Sequence, residues 1–455
     1  MNNTRIHFIA IGGSAMHNLA IALHLKGYNV TGSDDEIFDP ARGRLDSYGL
    51  LPENFGWFPE KLDGSIDSII LGMHARGDNP ELLKAKELGL KIYSYPEFLY
   101  EQSKDKLRVV IGGSHGKTTI TAMILHVLHQ CNVDTDYMVG AKLEGFDVMV
   151  RLTEAAKIMV FEGDEYLTSA LDLRPKFHLY KPDIALVSGI AWDHINVFPT
   201  FETYIEQFRI FMRMIPGSGA LIYCNDDLEV QKAAKSISGE MHKIPYSIPE
   251  HKVMDGKTVL ITDEGDFPLM VFGKHNLMNL EGARLVCNQL NICNLDFYKA
   301  ISTFKGASNR LELIAQKPGF NAYRDFAHAP SKLIATIKAV KEQFPERRLV
   351  ACFELHTFSS LNKDFLNQYA GCMAKADVAV VYFSPHALEL KKLPMLLAED
   401  IGQSFQKSGI LVFSDTKQFQ HFLLNQKWAG SNLLLMSSGN FDGLQVKAFA
   451  EGLSL

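Results

Sequence analysis

The chain has 455 residues, too many for one ordinary core, and this length predicts about three domains. Its apolar (47%) and charged (22%) fractions are typical of globular proteins, and a net charge of −6 with both signs scattered excludes a nucleic-acid-binding footprint. The six cysteines form no Cys-x-x-Cys pair and predict reduced thiols. Because the N-terminus lacks signal-peptide features and no apolar run approaches roughly 18 residues, we expect a cytoplasmic protein without a membrane partner.

A strand followed by a glycine-rich turn opens the chain and predicts a Rossmann-like unit. Residues 5–11 are the candidate strand, and Gly12 and Gly13 precede a helical pattern. A second candidate strand, 28–33, ends before Asp34, about 20 residues after the glycines, where a carboxylate can accept a hydrogen bond from a ribose hydroxyl. The spacing differs from Gly-x-Gly-x-x-Gly, which counts against a nicotinamide cofactor. A plain strand–helix turn and a helix N-terminus that binds the diphosphate of a UDP-sugar both remain open.

The most informative motif is the segment Val109-Val-Ile-Gly-Gly-Ser-His-Gly-Lys-Thr-Thr119. An apolar strand, a glycine-rich turn, Lys-Thr and a helical pattern follow one another in the order that a phosphate-binding loop requires. Backbone N–H groups and the helix N-terminus then face the phosphates. We expect Lys117 to bridge the β and γ phosphates of ATP and the Thr118 hydroxyl to hold Mg²⁺. Ile111 stands where the common P-loop pattern has a glycine, and Gly112-Gly113 is expected to make the turn.

Two later strands carry polar side chains at their C-terminal ends, where ligands of parallel α/β sheets bind. The strand 157–162 ends in a run that contains Glu162, Asp164 and Glu165, and these carboxylates can hold Mg²⁺ beside a triphosphate. The alternative is a solvated acidic loop. The next strand, 183–188, precedes Asp193-His194, which is either a metal site or a hydrogen-bonded pair.

Two asparagines precede a predicted helix over residues 280–290. Asn276 and Asn279 are three residues apart and share a helical face, where two amides can bind the edge of a base. Helix capping by Asn276 is the alternative interpretation.

Polar residues at turns and strand ends also mark the last third of the chain. Arg310 lies at a turn-rich stretch, where a cation can close over a γ-phosphate. Asp325 and His328 lie just before a helix expected to start at Pro330, a favoured first helical position. The strand 348–353 is followed by Glu354 and His356, which we place at the active edge of a parallel sheet. These residues are further candidates for ligand contacts.

Short apolar runs alternate with helical patterns almost throughout, which predicts an α/β fold with largely parallel sheets. Turn-rich and polar segments divide the chain into predicted domains 1–106, 107–307 and 308–455. The segment 240–272 is expected to form a small antiparallel addition to the middle domain. The remaining candidate strands are 66–71, 108–112, 219–223, 377–383, 410–413 and 432–436.

In this order, the motifs resemble the Mur ligases, ATP-dependent amide-forming enzymes of bacterial peptidoglycan metabolism. The resemblance covers essentially the whole chain. It implies a Rossmann-like N-terminal domain for a UDP-sugar, a central P-loop domain with a parallel sheet for ATP, and a Rossmann-like C-terminal domain for the incoming amine. Gly12-Gly13-x-x-Met16 and the Gly-Ser-His-Gly-Lys-Thr-Thr loop are typical of the branch that extends the UDP-N-acetylmuramic acid carboxylate. Further segments favour members that attach L-Ala-γ-D-Glu-meso-diaminopimelate in one step during peptidoglycan recycling: Asp164-Glu-Tyr166, Arg174-Pro-Lys-Phe177, Asp193-His194, Val197-Phe-Pro199, Arg213-Met-Ile-Pro-Gly217 and Ser437-Ser-Gly-Asn-Phe-Asp-Gly443.

The resemblance also implies roles for individual residues, with ATP and Mg²⁺ as the cofactors. Residues expected to bind ATP are Gly113, Ser114, His115, Gly116, Lys117, Thr118, Thr119, Asn276, Asn279, Arg310 and Asp325. Those expected to hold the metal are Thr118, Glu162 and His194. The UDP-sugar is expected at Gly12, Gly13, Ser14, Met16, Asp34 and His74, and the incoming amine at Glu354 and His356. The catalytic set implied is Lys117, Glu162, His194, Arg310 and His328.

Five places depart from the family pattern. Ser114 replaces a threonine and Gly163 replaces an alanine, both mild changes. Arg324 stands in place of the first residue of an Asp-Asp pair, and Ala329 in place of the second histidine of a His-His-Pro motif. The chain reads Glu354-Leu-His-Thr-Phe358 where the recycling members usually have Glu-Pro-Arg-Ser-Asn, which leaves the identity of the incoming peptide open.

The implied reaction is amide synthesis through an acyl phosphate. The muramate carboxylate attacks the γ-phosphorus of ATP, and the amine then displaces phosphate. His194 or His328 can act as the base that takes the amine proton, and we favour His194 as a metal ligand instead. We expect a monomer or a weak homodimer. The alternatives are a ligase that adds L-alanine to the same carboxylate in de novo synthesis, a non-enzymatic P-loop switch protein, and a nicotinamide-dependent oxidoreductase.

Overall fold

The computed structural model describes residues 4–73, 75–140, 146, 148–169, 172–192 and 197–455. The chain divides into two compact units. Unit 1 comprises Met1–Ile248 and Met278–Ile301, and unit 2 comprises Pro249–Leu277 and Ser302–Leu455. Mainly parallel sheets with interleaved helices confirm the predicted α/β class. No helix within the described ranges combines the length and the apolar character that a bilayer crossing requires.

The N-terminal part of unit 1 is a parallel sheet whose strand order, over the residues described there, is β2-β1-β3-β4. The register aligns Ile9 of β1 with Ser33 of β2 and with Leu71 of β3, so the turn after β1 and Asp34 after β2 reach the same sheet edge. The strands are β1 (Arg5–Ile9), β2 (Asn29–Ser33), β3 (Ser68–Leu71) and β4 (Ile92–Ser94), and the helices are α1 (Ser14–Leu25), α2 (Ala41–Ser47), α3 (Pro80–Glu87) and α4 (Tyr95–Glu101).

The second sheet of unit 1 has the order β11-β10-β9-β5-β8-β6-β7 across its described strands, parallel except for the β6–β7 pair. The central position belongs to β5, between β8 and β9, because its residues Val109–Ile111 are fully buried and need cover on both faces. The strands are β5 (Leu107–Gly112), β6 (Thr135–Met138), β7 (Val150–Arg151), β8 (Ile158–Glu162), β9 (Ile184–Val187), β10 (Ala220–Cys224) and β11 (His242–Tyr246). The helices are α5 (Lys117–Gln130), α6 (Lys176–Leu179), α7 (Phe201–Arg213) and α8 (Leu228–Ser236).

The segment after β11 forms a three-stranded antiparallel sheet of β12 (His251–Met254), β13 (Lys257–Thr262) and β14 (Gly265–Leu269). Its antiparallel character was predicted, but two details were not. The strand β11 pairs in parallel with β10, and the three-stranded sheet is grouped by its contacts with unit 2. Buried contacts explain the second point, because the Thr258 hydroxyl donates to Gln343 Oε1 at 2.8 Å within unit 2.

The helix α9 (Lys274–Gln289) begins six residues before the predicted start at Leu280, and α10 (Asn294–Ile301) follows it. The polar start Lys274-His-Asn obscured the helical pattern. Buried Leu277 and Leu280 continue one apolar face through this first part of the helix.

The large sheet of unit 2 has the order β15-β16-β20-β17-β18-β19 over its described strands, parallel except for β15–β16. In β20, Leu433 and Leu435 enter the core on one face, while Leu434 and Met436 enter the core on the other, as strand alternation requires. The strands are β15 (Glu312–Lys317), β16 (Phe320–Asp325), β17 (Arg348–Leu355), β18 (Val378–Phe383), β19 (Leu411–Phe413) and β20 (Ser431–Met436). The helices are α11 (Pro330–Gln343), α12 (Pro385–Leu390), α13 (Ala398–Phe405), α14 (Thr416–Leu424) and α15 (Val446–Gly452).

Candidate active site

The loop between β5 and α5 has the backbone of a phosphate cradle. Gly113 (φ +130°) and Gly116 (φ +80°) adopt conformations that L side chains rarely take. A Cβ on Gly113 would overlap Ser188 Oγ, and one on Gly116 would overlap Asn279 Oδ1. Gly112 was expected to share in the turn, but it is the last residue of β5. The loop therefore turns at Gly113 and Gly116, which have to be glycines because Ser188 and Asn279 pack directly against them, and the turn leads into the N-terminus of α5, where backbone N–H groups favour an anion.

Lys117 is the first residue of α5 and is already engaged with protein acceptors. Its Nζ donates to the Gly113 carbonyl at 2.6 Å and to Glu165 Oε2 at 2.7 Å. Burial alone would lower the pKa of Lys117, but Glu165, Asp164 and Glu162 reverse this and raise it. The ammonium is therefore a fixed positive charge at the mouth of the loop, suited to phosphate oxygens.

A buried hydrogen-bond chain, which the sequence did not reveal, supports Lys117. Tyr204, from α7, donates through its hydroxyl to Glu165 Oε1 at 3.1 Å and lies 2.9 Å from Ser114 Oγ. The Ser114 Oγ also accepts from the Ala191 N–H at 2.9 Å. No local motif marks Tyr204, because its partners come from distant segments of the chain. The hydrogen bonds fix Glu165 and therefore the position of the lysine.

Two of the three residues predicted to hold a metal ion, Thr118 and Glu162, are hydrogen-bonded to each other. The Thr118 hydroxyl donates to Glu162 Oε1 at 2.6 Å, and the Gly140 N–H donates to Glu162 Oε2 at 2.7 Å. His194, with Asp193, lies outside the described residues. Two hard oxygen donors beside the phosphate cradle fit Mg²⁺, which keeps several water and phosphate ligands. When bound, Mg²⁺ would neutralise phosphate charge there.

We had expected that the carboxylates of Glu162, Asp164 and Glu165 could hold one metal ion together, but in the described residues they do not form one cluster. Asp164 Oδ2 accepts from Lys176 Nζ at 2.6 Å, and Glu165 accepts from Lys117. Burial would raise the pKa of Asp164, but Lys176 and Lys117 bring it below its usual value. Within the described ranges, no group of three or more His, Cys, Asp or Glu side chains is arranged to hold a metal ion. Each carboxylate instead has its own partner.

The two asparagines of α9 have different surroundings. Asn279 is buried, and its Oδ1 lies where a Gly116 side chain would be. Asn276 is also buried and donates through Nδ2 to the Phe272 carbonyl at 2.9 Å, closing the first turn of the helix. Asn279 therefore lies beside the phosphate cradle of unit 1, whereas the Asn276 amide is occupied by backbone.

The turn after β1 is closed by the carboxylate of Asp34. The Gly12 N–H donates to Asp34 Oδ2 at 2.7 Å, and Gly13 is the N-cap of α1, followed by exposed Ser14. Burial and the neighbouring Asp35 raise the pKa of Asp34 to about 6, although the Gly12 N–H opposes this. The Met16 side chain is buried in the core of unit 1, and its Cγ lies 3.4 Å from the position that a Cβ on Gly13 would take. His74 lies outside the described residues.

In unit 2, Arg310 and Asp325 lie around the start of β15 and the end of β16. The Arg310 guanidinium lies 4.6 Å from the centre of the Phe326 ring. The buried Asp325 carboxylate accepts from the Leu311 N–H at 2.7 Å. His328 Nδ1 lies 3.0 Å from the Phe326 carbonyl. These three predicted site residues therefore meet around one turn.

The pH dependence of unit 2 should report on Asp325. Burial raises the pKa of Asp325 from 3.8 to about 6, so the folded state binds this proton more tightly than the unfolded chain. Stability should therefore rise as the pH falls from about 6 towards 4, by at most about 3 kcal/mol, and this gain should vanish in Asp325→Asn. Denaturant titrations followed by the buried Trp428 would test this in a Trp57→Phe, Trp192→Phe background. Equal pH profiles with and without the Asp325→Asn substitution would contradict it.

Glu354 and His356 lie at the end of β17, as predicted, but they differ in accessibility. Glu354 is buried, and its Oε2 accepts from the Phe441 N–H at 2.8 Å and from the Ser437 hydroxyl. His356 Nδ1 lies 3.5 Å from Glu354 Oε1, and the ring packs against Gly439. Glu354 therefore holds the loop after β20, and His356 borders it.

A cavity of about 590 Å³ opens beside this loop in unit 2. Residues from three segments line it: Asn309, Arg324 with Phe326, and the stretch from Leu435 to Glu451. Because β16 and β20 are parallel neighbours, the cavity lies at their C-terminal edge, where α/β proteins place ligands. Sequence reasoning did not identify it, since Arg324 appeared only as a departure from a motif.

Family models for three domains match successive parts of the chain. The Mur ligase family catalytic domain matches residues 5–106, the Mur ligase middle domain residues 111–287, and the Mur ligase glutamate ligase domain residues 309–439. This succession confirms the predicted three-domain organisation.

Curated relatives cover nearly the whole chain. A UDP-N-acetylmuramate–L-alanine ligase of Sulfurihydrogenibium sp. (strain YO3AOP1) is 29% identical, over 97% of this chain and 96% of the relative. An enzyme of the same name from Clostridium kluyveri is 30% identical to this chain, over 80% of this chain and 81% of the relative. The UDP-N-acetylmuramate–L-alanyl-γ-D-glutamyl-meso-2,6-diaminoheptandioate ligase of Escherichia coli (strain K12) is 26% identical over 97% of both chains. Relatives of both substrate types are thus similar to this chain.

Solved structures show the same fold. A murein peptide ligase from Psychrobacter arcticus 273-4 has a TM-score of 0.65 at 22% identity and covers 100% of both chains. A UDP-N-acetylmuramate–alanine ligase from Thermotoga maritima has a TM-score of 0.71 at 18% identity and covers 97% of both chains. At these identities the structures establish the fold alone. With the domain models and the curated relatives, they show that the chain belongs to the Mur ligase family, whose members are ATP-dependent amide ligases of peptidoglycan synthesis.

Proposed function

We propose that this ligase joins the carboxylate of UDP-N-acetylmuramic acid to L-Ala-γ-D-Glu-meso-diaminopimelate in peptidoglycan recycling. The observation that carries the choice of a peptide is the cavity of about 590 Å³ beside the loop after β20. Alanine alone would leave most of this space to solvent, whereas the far end of a peptide can fill it.

The proposed reaction assigns steps to residues in both units. In unit 1, Lys117 holds the phosphates while a carboxylate oxygen of the muramic acid attacks the γ-phosphorus and the bond to the β-phosphate oxygen breaks. ADP leaves, and an acyl phosphate remains on the sugar. The peptide amine then attacks the carbonyl carbon, and inorganic phosphate departs. Arg310 is proposed to bind the γ-phosphate. Of the two histidines considered as the base that takes the amine proton, His328 is the one that lies within the described residues.

The remaining sequence-based assignments are part of the same proposal. Thr118 and Glu162 would hold Mg²⁺ together with His194, and Asn279 would lie near the nucleotide. The turn at Gly12 and Asp34 would bind the UDP-sugar. The domain limits 1–106, 107–307 and 308–455, the cytoplasmic location and a monomeric or weakly dimeric state also stay predictions.

A second candidate is the ligase that adds free L-alanine to the same carboxylate. The curated relatives at 29–30% identity carry that name, and this specific observation favours it. The family assignment counts against a non-enzymatic switch protein and against a nicotinamide-dependent oxidoreductase.

Phosphate release with defined substrate sets distinguishes the two candidates. We expect release only when ATP, Mg²⁺, UDP-N-acetylmuramic acid and the tripeptide are present together. Omission of each component in turn is the control, and a panel of alanine and of tripeptides with diaminopimelate, lysine or ornithine at the third position identifies the amine. Equal release without any amine would contradict the ligase reaction. Turnover with alanine but not with tripeptides would establish the second candidate.

A further inference from the structure

Arg324 is a cation at the wall of the cavity beside the loop after β20. Its Nη2 donates to Glu312 Oε2 at 2.9 Å, and a third of its side chain is exposed. In the described part of the chain, Arg324 Nε is a buried donor without a hydrogen-bond partner. Nε is shielded from solvent in this position, whereas the partly exposed side chain lines the cavity, where the terminal N–H groups of a guanidinium can present a fork that matches a planar carboxylate. Arg324 therefore has hydrogen-bonding capacity that Glu312 does not use.

The cavity is lined by side chains of both charges together with apolar side chains. Lys447 and Glu451 are exposed, line the cavity and lie four residues apart on α15, so they are neighbours on one helix face. Phe326 and Leu444 supply apolar lining. Such a site suits the end of a peptide that carries both a carboxylate and an ammonium group. It is less suited to a neutral or purely anionic ligand.

One wall of the cavity connects it to the residues proposed for catalysis in unit 2. Phe326 lines the cavity, and the Arg310 guanidinium stacks on the same ring at 4.6 Å. If Arg310 contacts the transferred phosphoryl group, as proposed above, a peptide whose amine reacts there can extend its far end past Phe326 towards Arg324. Alanine, whose amine and carboxylate are joined by a single carbon, has no such far end.

We infer that the cavity receives the carboxylate-bearing end of the incoming peptide and that Arg324 binds this carboxylate and so determines the choice of amine. The inference rests on the proposed function, because it assigns a recognition residue to the peptide of that reaction. It predicts that efficient turnover requires a free carboxylate on the third residue of the peptide, whatever the apolar part of that side chain.

The test compares the diaminopimelate tripeptide with the same peptide whose third-residue carboxylates are carboxamides, using the full chain with ATP, Mg²⁺ and UDP-N-acetylmuramic acid. The native enzyme should prefer the free acid in kcat/KM by about 10- to 100-fold. Arg324→Gln should lower kcat/KM for the free acid by a similar factor, mainly through KM, and leave the carboxamide within about twofold. Arg324→Lys, which keeps the charge but loses the fork, should recover part of the preference.

Arg348→Gln is the matched control. Arg348 is also a half-buried arginine of this sheet with a side-chain acceptor, Gln426, but it lies at the opposite, N-terminal end of β17. It should leave the preference unchanged, and melting temperatures should verify that the variants fold. A native enzyme that uses the tripeptide but does not distinguish acid from carboxamide overturns the inference alone, as does full preference in Arg324→Gln. A native enzyme that accepts only alanine overturns the proposed function and the inference with it.

Discussion

Replacing Lys117 with methionine is expected to abolish substrate-dependent phosphate release, with a fall in kcat/KM of about 10³-fold or more. The lysine is held by the Gly113 carbonyl and by Glu165, so its charge is in place before the nucleotide arrives. Methionine keeps a similar length and apolar stem but supplies neither the charge nor the donors. The measurement is phosphate release with the complete substrate set.

A double variant separates catalysis from folding. Removal of Lys117 leaves the buried Glu165 carboxylate without its cation, which typically costs about 3–5 kcal/mol of stability. Lys117→Met should therefore lower the melting temperature, and Lys117→Met with Glu165→Gln should restore most of it, because the amide can still accept from Tyr204. Both variants should be inactive. Substantial activity in the stable double variant would show that Lys117 does not act on the phosphates.

Local patterns were sufficient to predict the sheets and the phosphate-binding loop. Strands such as β5 and β20 are short apolar runs buried on both faces, and the run length identifies them without tertiary information. The Gly-Lys-Thr sequence marks the loop and the start of α5 for the same local reason. Short strands with mixed composition, such as Val150–Arg151, carry too few residues for a pattern and were not predicted.

Contacts across the sheet could not be predicted, because they depend on strand order. Glu162 pairs with Thr118, which is 44 residues away in the sequence, and with Gly140, which is 22 residues away. These residues become neighbours only because β5, β8 and β6 lie side by side. Tyr204 is 39 residues from Glu165 and meets it through α7. The sequence indicated which side chains reach the active edge of the sheet, whereas topology decided which of them pair.

The same limit applies to unit 2. Arg324 and the loop from Ser437 to Phe441 are more than a hundred residues apart, and the parallel pairing of β16 with β20 brings them to one cavity. A motif comparison could only register Arg324 as an exception. Its surroundings in the fold are what support the role proposed for it above.

Replacing Gly116 with alanine is expected to have the second largest effect, through the shape of the phosphate cradle. At φ +80° an alanine adopts the left-handed region at a cost of about 1–2 kcal/mol, and its Cβ would overlap Asn279 Oδ1. Either the start of α5 or Asn279 must move, and both border the proposed nucleotide site. The KM for ATP should rise about 10-fold or more, and the melting temperature should fall.

Gly89→Ala provides the matched control, because it has the same strain without the overlap. Gly89 also has a left-handed backbone, at φ +66°, and a Cβ there meets nothing within 4 Å. It should lower the melting temperature modestly and leave the KM for ATP unchanged. The double variant Gly116→Ala with Asn279→Ala removes the overlapping amide and should regain stability relative to Gly116→Ala. An unchanged KM for ATP in Gly116→Ala would mean that the phosphates do not occupy this loop, whereas a raised KM in both glycine variants would attribute the effect to general strain.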